Sequence, residues 1–168
     1  MLSNEYSSND YGYGGGGAIH CEDNCFIVNN LIYDNESDTH GAGILIYKYK
    51  STYTTEIINN TLVNNKSAMN GGGVYLSSRE EGIASLKNNI FYQNTASAGN
   101  DIYHANDIDN DLLLNELVLT SNSIDKSNEG FAEQVFSGTV IDESNLDAVN
   151  PFFINPTNDD YHLQVNSP

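Results

Sequence analysis

The chain has 168 residues, enough for one domain with a continuous core, and it is rich in Asn and Gly. It carries 23 acidic against six basic residues, a net charge of −17, which argues against nucleic acids and anionic membranes because both are bound through basic residues. Neutral glycans or cationic protein surfaces suit this charge better. No stretch has the apolar length of a membrane-spanning helix, and the first residues do not resemble a signal peptide, so we expect any export signal to have been removed or to lie outside this sequence.

The chain begins with a Gly- and Tyr-rich stretch, for which we predict a flexible tail over residues 1–14. Two cysteines follow in the segment HCEDNC, Cys21 and Cys25. Their spacing suits a disulfide between the ends of two strands, which would imply an oxidising compartment. Two free buried thiols are an alternative. A metal site that also uses His20 is a weaker one, because the sequence offers no second pair of ligands.

From residue 15 to residue 124 the chain repeats itself. The heptads NNLIYDN, NNTLVNN and NNIFYQN begin at Asn29, Asn59 and Asn88. A Gly-led marker runs in step with them, and its four copies end at Ile19, Ile44, Val74 and Ile102. Each marker precedes a short β-prone segment, and no window shows sustained helical periodicity. The unit is therefore an all-β repeat.

This period predicts a right-handed parallel β-helix, a solenoid of about four coils. Equivalent residues of successive coils would then lie about 4.8 Å apart, the spacing of neighbouring strands. Side-chain amides stacked in this way can bond to one another, and Asn tolerates the left-handed backbone of a sharp bend. The predicted ladders are Asn30, Asn60 and Asn89, and Asn35, Asn65 and Asn94. The predicted apolar columns include Ile27, Ile57 and Leu86, and Ile32, Leu62 and Phe91.

The fourth repeat is irregular. Its nearest match to the bend asparagine is Asn122, and a loop at about residues 105–116 is expected to project outward. Residues 125–149 have lost the repeat. We predict that residues 125–168 cap the end of the solenoid, because an open end exposes unpaired strand edges.

Two features resemble a known family. The marker GGAI followed by FIVN (26–29) and FYQN (91–94) resembles the right-handed parallel β-helix repeats of the pectate-lyase-like superfamily, including those of polymorphic outer-membrane adhesins. The ending NPFFINPTNDDYHLQVNSP (150–168) is similar to the motif that closes such domains. The resemblance covers about residues 15–168 and implies an extracellular or cell-surface protein.

We assign no catalytic residue. Lyases that this resemblance calls up use a calcium-bound uronate and a basic residue, but Arg79 lies in a charged turn where local ion pairs are the plainer explanation. Hydrolases of the fold pair two carboxylates, and the aspartates here do not share a phase across two coils. His20 and His104 fall in coils one and four, too far apart for an acid–base pair. His40 and His162 are expected in a turn and at the surface.

One acidic stretch suggests a cation. The segment DIDND (107–111) brings Asp107, Asp109 and Asp111 together, and Ca²⁺ prefers oxygen ligands. The stretch matches neither an EF-hand loop nor a Gly-Asp nonapeptide, so these residues are weak candidates. Calcium is the one cofactor that the sequence suggests.

A column of side chains forms the main binding candidate. If the residues that end the Gly-led markers point inward, the residues after them point outward on one face. These are His20, Leu45, Tyr75 and Tyr103, and Tyr47 and Tyr49 lie close by. Such tyrosines suit contact with sugar rings, although ordinary packing across strands is the alternative.

The sequence therefore predicts a non-catalytic extracellular or surface module that presents a rigid face for adhesion or glycan binding. Its partner would be a neutral glycan or a protein surface. Two alternatives stay open. The first is that the chain is a fragment or small relative of a polysaccharide lyase or hydrolase, and the second is that it is a structural subunit that self-associates end to end by strand addition.

Overall fold

The computed structural model describes residues 5–6, 17–22, 24–48, 54–78, 82–106, 116–127, 129–134, 139–147 and 149–168. These residues form short strands separated by bends, with one 3₁₀ turn at Pro156–Asn158. In the described part of the chain, no helix has the length and apolar character needed to cross a membrane.

The strands follow in chain order. They are β1 (Glu5–Tyr6), β2 (Ile19–Glu22), β3 (Cys25–Val28), β4 (Leu31–Tyr33), β5 (Glu36–Ser37), β6 (Ile44–Lys48), β7 (Thr54–Ile58), β8 (Thr61–Val63), β9 (Lys66–Ser67), β10 (Val74–Ser78), β11 (Ile83–Lys87), β12 (Ile90–Tyr92), β13 (Ile102–Asn106), β14 (Glu116–Thr120), β15 (Ser123–Ile124), β16 (Phe131–Gln134), β17 (Thr139–Glu143), β18 (Leu146–Asp147), β19 (Phe153–Asn155) and β20 (Asp160–Leu163).

Consecutive strands belong to different sheets. The first sheet contains β2, β6, β10, β13 and β16, the second contains β3, β7, β11, β14 and β17, and the third contains β4, β8, β12, β15 and β18. A small corner sheet contains β1, β5 and β9. All strand pairs in these sheets are parallel. The chain visits the sheets in the same order each time, an all-β arrangement that fits a parallel β-helix.

The apolar columns lie in the predicted register. Ile44 pairs with Ile19 on one side and with Val74 on the other, and Val74 pairs with Ile102. The columns through Ile57 and Leu62 are continuous in the same way. These side chains form one buried cluster between the sheets. Each strand has one inward and one outward face, so a slip of one residue would turn the apolar column outward.

Stacked asparagines close the first bend, as predicted. The Nδ2 atom of each lies 2.9–3.1 Å from the Oδ1 atom of the next. The ladder is longer than expected, and its members are Asn30, Asn60, Asn89, Asn122 and Asn145. The second ladder joins Asn35, Asn65 and Asn94 at 2.8 and 3.0 Å. Every rung therefore satisfies a buried amide by its neighbour.

The left-handed backbone belongs to a different residue from the ladder. At the first bend, positive φ values of 54–59° occur at Asn29, Asn59, Asn88, Ser121 and Ser144, each directly before a ladder asparagine. Sequence reasoning gave both tasks to one bend residue. The structure divides them: the ladder asparagine supplies the bonded side chain, and the residue before it has the left-handed backbone of the turn.

Glycines in the markers are required by close backbone contact. Gly71 has a φ of 69°, and a Cβ atom there would lie 2.6 Å from the carbonyl oxygen of Val74. Gly41 has the same conformation and the same conflict with Ile44. A larger residue at either position would distort the turn that leads into the first sheet.

The predicted cap contributes strands to the sheets. β16, β17 and β18 lie within residues 125–149 and add a fifth strand to each of the three sheets. The rest of the segment ends in the antiparallel pair of β19 and β20, which we call the C-terminal hairpin (Phe153–Leu163). Phe153 and Tyr161 of this hairpin pack against Tyr33 and Val63 on the outer face of the third sheet.

The start of the chain is held at two points. Within the predicted tail, Glu5 and Tyr6 pair with Glu36 and Ser37 as β1, and the other tail residues lie outside the described part. Cys21 of β2 and Cys25 of β3 form a disulfide. This bond ties the first sheet to the second across a short turn.

Candidate functional site

The predicted binding column is in register on the first sheet. Leu45 pairs with His20 and with Tyr75, and Tyr75 pairs with Tyr103. These residues alternate along their strands with residues of the main core, and the buried ones belong to a separate cluster that also contains Tyr47. The column therefore lies on the face of the first sheet that points away from the core.

The tyrosines of this column are packed against one another. Tyr75 and Tyr103 are only 7% and 8% exposed. Their rings are parallel within 3°, with centroids 5.5 Å apart, and Tyr47 lies 6.4 Å from Tyr75 in a tilted contact. Burial raises the pKa of both Tyr75 and Tyr103. Little ring surface is left for a sugar, so this geometry favours packing over ligand contact by these rings.

A histidine extends the stack. The ring of His40 lies 4.4 Å from that of Tyr75, and its Nδ1 accepts a hydrogen bond from the backbone N–H of Asn70 at 3.3 Å. Burial lowers the pKa of His40. His20, at the other end of the column, is 40% exposed in its side chain.

The second sheet carries an exposed outer face. Phe26 is 70% exposed, and Val28 on the same strand and Ile83 two strands away are also exposed. Glu56 follows Phe26 along one row of this face, and Ile58 and Lys87 follow Val28 along the next. The outer face of the third sheet is instead covered by the C-terminal hairpin. Sequence reasoning did not single out the second sheet, although its alternation of outward residues was readable.

A buried carboxylate, that of Asp101, lies at the end of the second ladder. Asp101 is 5% exposed, and it accepts hydrogen bonds from the Nδ2 of Asn94 at 3.1 Å and from the backbone N–H of Asp125 at 2.9 Å. Burial raises the pKa of Asp101 to about 6, with a smaller contribution from the neighbouring Asp125 carboxylate, although both hydrogen bonds favour the ionised form. A cavity of about 210 Å³ is lined by both Asp101 and Asp125.

The Asp101 contact was missed from the sequence. The first three Gly-led markers have Ala18, Gly43 and Gly73 where the fourth has Asp101. At this position the side chain reaches the ladder and takes the place of a fourth asparagine. The aspartate in the fourth marker, GNDI, was a signal in the sequence that could have predicted this contact. Asp125 lies in no repeated motif, so no such signal exists for it.

The other predicted residues are dispersed. His104 lies in the column of Ile46 and Leu76, the opposite face of the first sheet from His20, and it is buried. His162 is exposed and lies 2.6 Å from Asp160, whose pKa it lowers by hydrogen bonding.

Several candidates cannot be placed. Tyr49, Arg79, Asp107, Asp109 and Asp111 lie outside the described residues. Among the residues that are described, no three His, Cys, Asp or Glu side chains lie together as a metal site would require.

We compared the chain with protein-family models, curated proteins and solved structures. No protein-family model, no curated protein and no solved structure matches this chain.

Proposed function

We propose that the protein is a non-catalytic surface or extracellular module, built as a right-handed parallel β-helix of the pectate-lyase-like type. The β-helix has about four coils, followed by a fifth set of strands at one edge of each sheet. The outer face of the second sheet binds a neutral glycan. The observation that carries this proposal is the apolar patch of Phe26, Val28 and Ile58 on the outer face of a rigid parallel sheet.

Rigidity supports the proposal. Two asparagine ladders hold the bends on either side of the third sheet, and the register of the second sheet runs through all five strands without a shift. A face that does not have to be ordered on binding loses less conformational entropy to its partner.

The surface chemistry also supports it. Exposed apolar patches mark binding sites more often than single exposed residues do. Here Phe26, Val28 and Ile58 adjoin one another, and Glu56 and Lys87 offer hydrogen-bonding groups beside them. With a net charge of −17, an uncharged ligand meets no repulsion whereas an acidic polysaccharide does.

Binding to an array of neutral glycans tests the proposal. We expect the protein to bind at least one glycan, and the double variant Phe26→Ser and Val28→Ser to lose that binding. The matched control replaces two exposed apolar residues of the C-terminal segment, Ile154→Ser and Val165→Ser, and should bind like the unchanged protein. Equal binding by both variants would move the contact face elsewhere, and no binding at all would remove the glycan proposal.

A second candidate function is hydrolysis of a polysaccharide. It is favoured by Asp101, a buried carboxyl group whose raised pKa suits a general acid and which lines a cavity. Release of reducing ends from soluble polysaccharides at pH 5–6, lost in Asp101→Asn, would support it. We rank it second because both oxygens of Asp101 already accept hydrogen bonds within the protein.

A further inference from the structure

A crevice of about 170 Å³ lies between the third sheet and the C-terminal segment. One wall is a row of the sheet in which Ser123 pairs with Ile90 and with Leu146. The opposite wall includes Pro151 and Leu163. Ser167 braces that wall, because its Oγ donates to the carbonyl of Pro151 at 2.9 Å.

The side chains that line the crevice carry no charge. None of its lining side chains is acidic or basic, although the chain as a whole has 23 acidic residues. The apolar residues Ile90, Leu146 and Leu163 line it together with the polar residues Ser121, Ser123 and Asn88. A charged ligand would lose its hydration here without gaining a side chain of opposite charge, so the lining side chains favour a neutral group.

The hydroxyl group of Ser123 needs a hydrogen-bond partner. The residue is 8% exposed, and its buried hydroxyl has no hydrogen-bond partner. Buried hydroxyl groups in native proteins are nearly always bonded. A ligand that brought an acceptor to Ser123 would therefore satisfy a group that the protein itself leaves unsatisfied.

Size and polarity narrow the ligand class. A cavity of about 150 Å³ accepts a benzene-sized group. An unsubstituted hexose presents hydroxyl groups on every side. The apolar wall formed by Ile90, Leu146 and Leu163 cannot form hydrogen bonds with them. An acetamido group instead presents one methyl group for the apolar wall and one carbonyl oxygen for a hydroxyl donor.

We propose that this crevice binds the acetamido group of an uncharged N-acetylated sugar. The methyl group packs against Leu146 and Leu163, and the carbonyl oxygen accepts a hydrogen bond from Ser123. The choice of a sugar rests on the function proposed above, whereas the choice of the acetamido group rests on the crevice.

Titration followed by NMR tests the proposal with three probes: methyl N-acetyl-β-glucosaminide, methyl β-glucoside and N-methylacetamide. We expect the N-acetylated sugar to bind at least tenfold more tightly than the glucoside, with shifts at Ser123 and Leu146. N-methylacetamide should shift the same signals more weakly. Equal affinity for the two sugars, or no saturable binding, would overturn the proposal.

Variants locate the site. Ser123→Ala removes no hydrogen bond within the protein, so it should fold normally and bind the N-acetylated sugar roughly fivefold more weakly. Leu146→Tyr fills the crevice from an exposed position and should abolish binding. Ser97→Ala, at an exposed position outside both the crevice and the second sheet, is the matched control and should bind like the unchanged protein. Unaltered binding by both crevice variants would overturn the assignment.

The outcomes separate the two proposals. If the Phe26 and Val28 variant loses binding to the array but still binds the N-acetylated monosaccharide, the second sheet and the crevice are two separate sugar-binding sites, which supports both proposals. Array binding without any effect of the acetamido group would leave the function proposed above intact and remove the crevice from it.

Discussion

Asn60 illustrates how much one side chain contributes at the scale of single residues. Its Oδ1 accepts from the backbone N–H and the Nδ2 of Asn30, at 2.9 and 3.0 Å. Its Nδ2 donates to Asn89 and to the carbonyl oxygen of Ile27. Asn59, directly before it, is exposed and makes the turn. Two adjacent asparagines therefore have different tasks that the sequence does not distinguish.

Substitution of the two asparagines should separate these tasks. Asn60→Gly removes a buried ladder rung and leaves the N–H of Asn30 without its acceptor, so we expect a loss of about 3 kcal/mol in the free energy of unfolding. Asn59→Gly keeps a residue that tolerates positive φ and should change stability by less than about 0.5 kcal/mol. Urea denaturation measures both. Equal losses would contradict the division of tasks.

Asp101 should make stability depend on pH. Its folded pKa, about 6, lies above the ordinary value of 3.8, so the folded state holds the proton more tightly than the unfolded state does. The contribution of this group is therefore present at pH 4 and is lost as the pH rises through about 6, by on the order of 2 kcal/mol. Asp101→Asn cannot titrate, so its stability relative to the unchanged protein should increase between pH 4 and pH 7. A difference that is constant across this range would show that the pKa is not raised.

At the scale of elements, the C-terminal hairpin decides which outer face is covered. Phe153 lies 5.8 Å from the ring of Tyr92 and 5.2 Å from that of Tyr161, both in edge-to-face contacts. The contact with Tyr92 joins the hairpin to the third sheet, and the contact with Tyr161 lies within the hairpin. The closing motif was visible in the sequence, but the sheet on which it packs was not.

Truncation of the hairpin anchor should therefore be costly. Phe153→Ala empties a buried aromatic site, and we expect a loss of about 3–4 kcal/mol in the free energy of unfolding. Ile154→Ala, on the same strand but exposed, should cost less than about 1 kcal/mol. Thermal or urea unfolding distinguishes the two. A small effect of Phe153→Ala would mean that the hairpin is not anchored on the third sheet.

The disulfide links two elements at the start of the first and second sheets. Cys21 and Cys25 are four residues apart, so the bond closes a short loop and should add about 2 kcal/mol through the unfolded state. Reduction should lower the midpoint of urea unfolding accordingly, and Cys21→Ser with Cys25→Ser should be insensitive to the reductant. An unchanged midpoint on reduction would rule out this contribution.

At the scale of the whole molecule, the charge acts against compactness and self-association. A net charge of −17 repels itself, and salt screens the repulsion because the Debye length falls from about 30 Å at 0.01 M to about 3 Å at 1 M ionic strength. We expect the melting temperature to rise as NaCl is added from about 0.01 M to about 0.5 M at neutral pH. Association end to end should likewise need high salt, since the edge strands β17 and β18 carry Asp142, Glu143 and Asp147. A melting temperature that falls with NaCl would contradict this view.

The repeating part of the fold was predictable because it is periodic. Asn29, Asn59 and Asn88 mark bends at a nearly constant period, and the register of the sheets follows from stacking like on like. Asn145 was not predicted to belong to the ladder, because it follows Asn122 by 23 residues rather than 29 or 30. A ladder needs equal spatial intervals, which chain segments of unequal length can still provide.

By itself, then, the sequence determined the strand order, the inward columns and the asparagine ladders, since each depends on residues that recur at fixed intervals. Only the tertiary structure decided which outward residues stay exposed. Tyr75 and Phe26 both point away from the core, yet Tyr75 is buried in a stack and Phe26 is open. Exposure depends on what packs against a residue from elsewhere in the chain, as the hairpin at Phe153 does on the third sheet, and periodicity within a repeat carries no record of that contact.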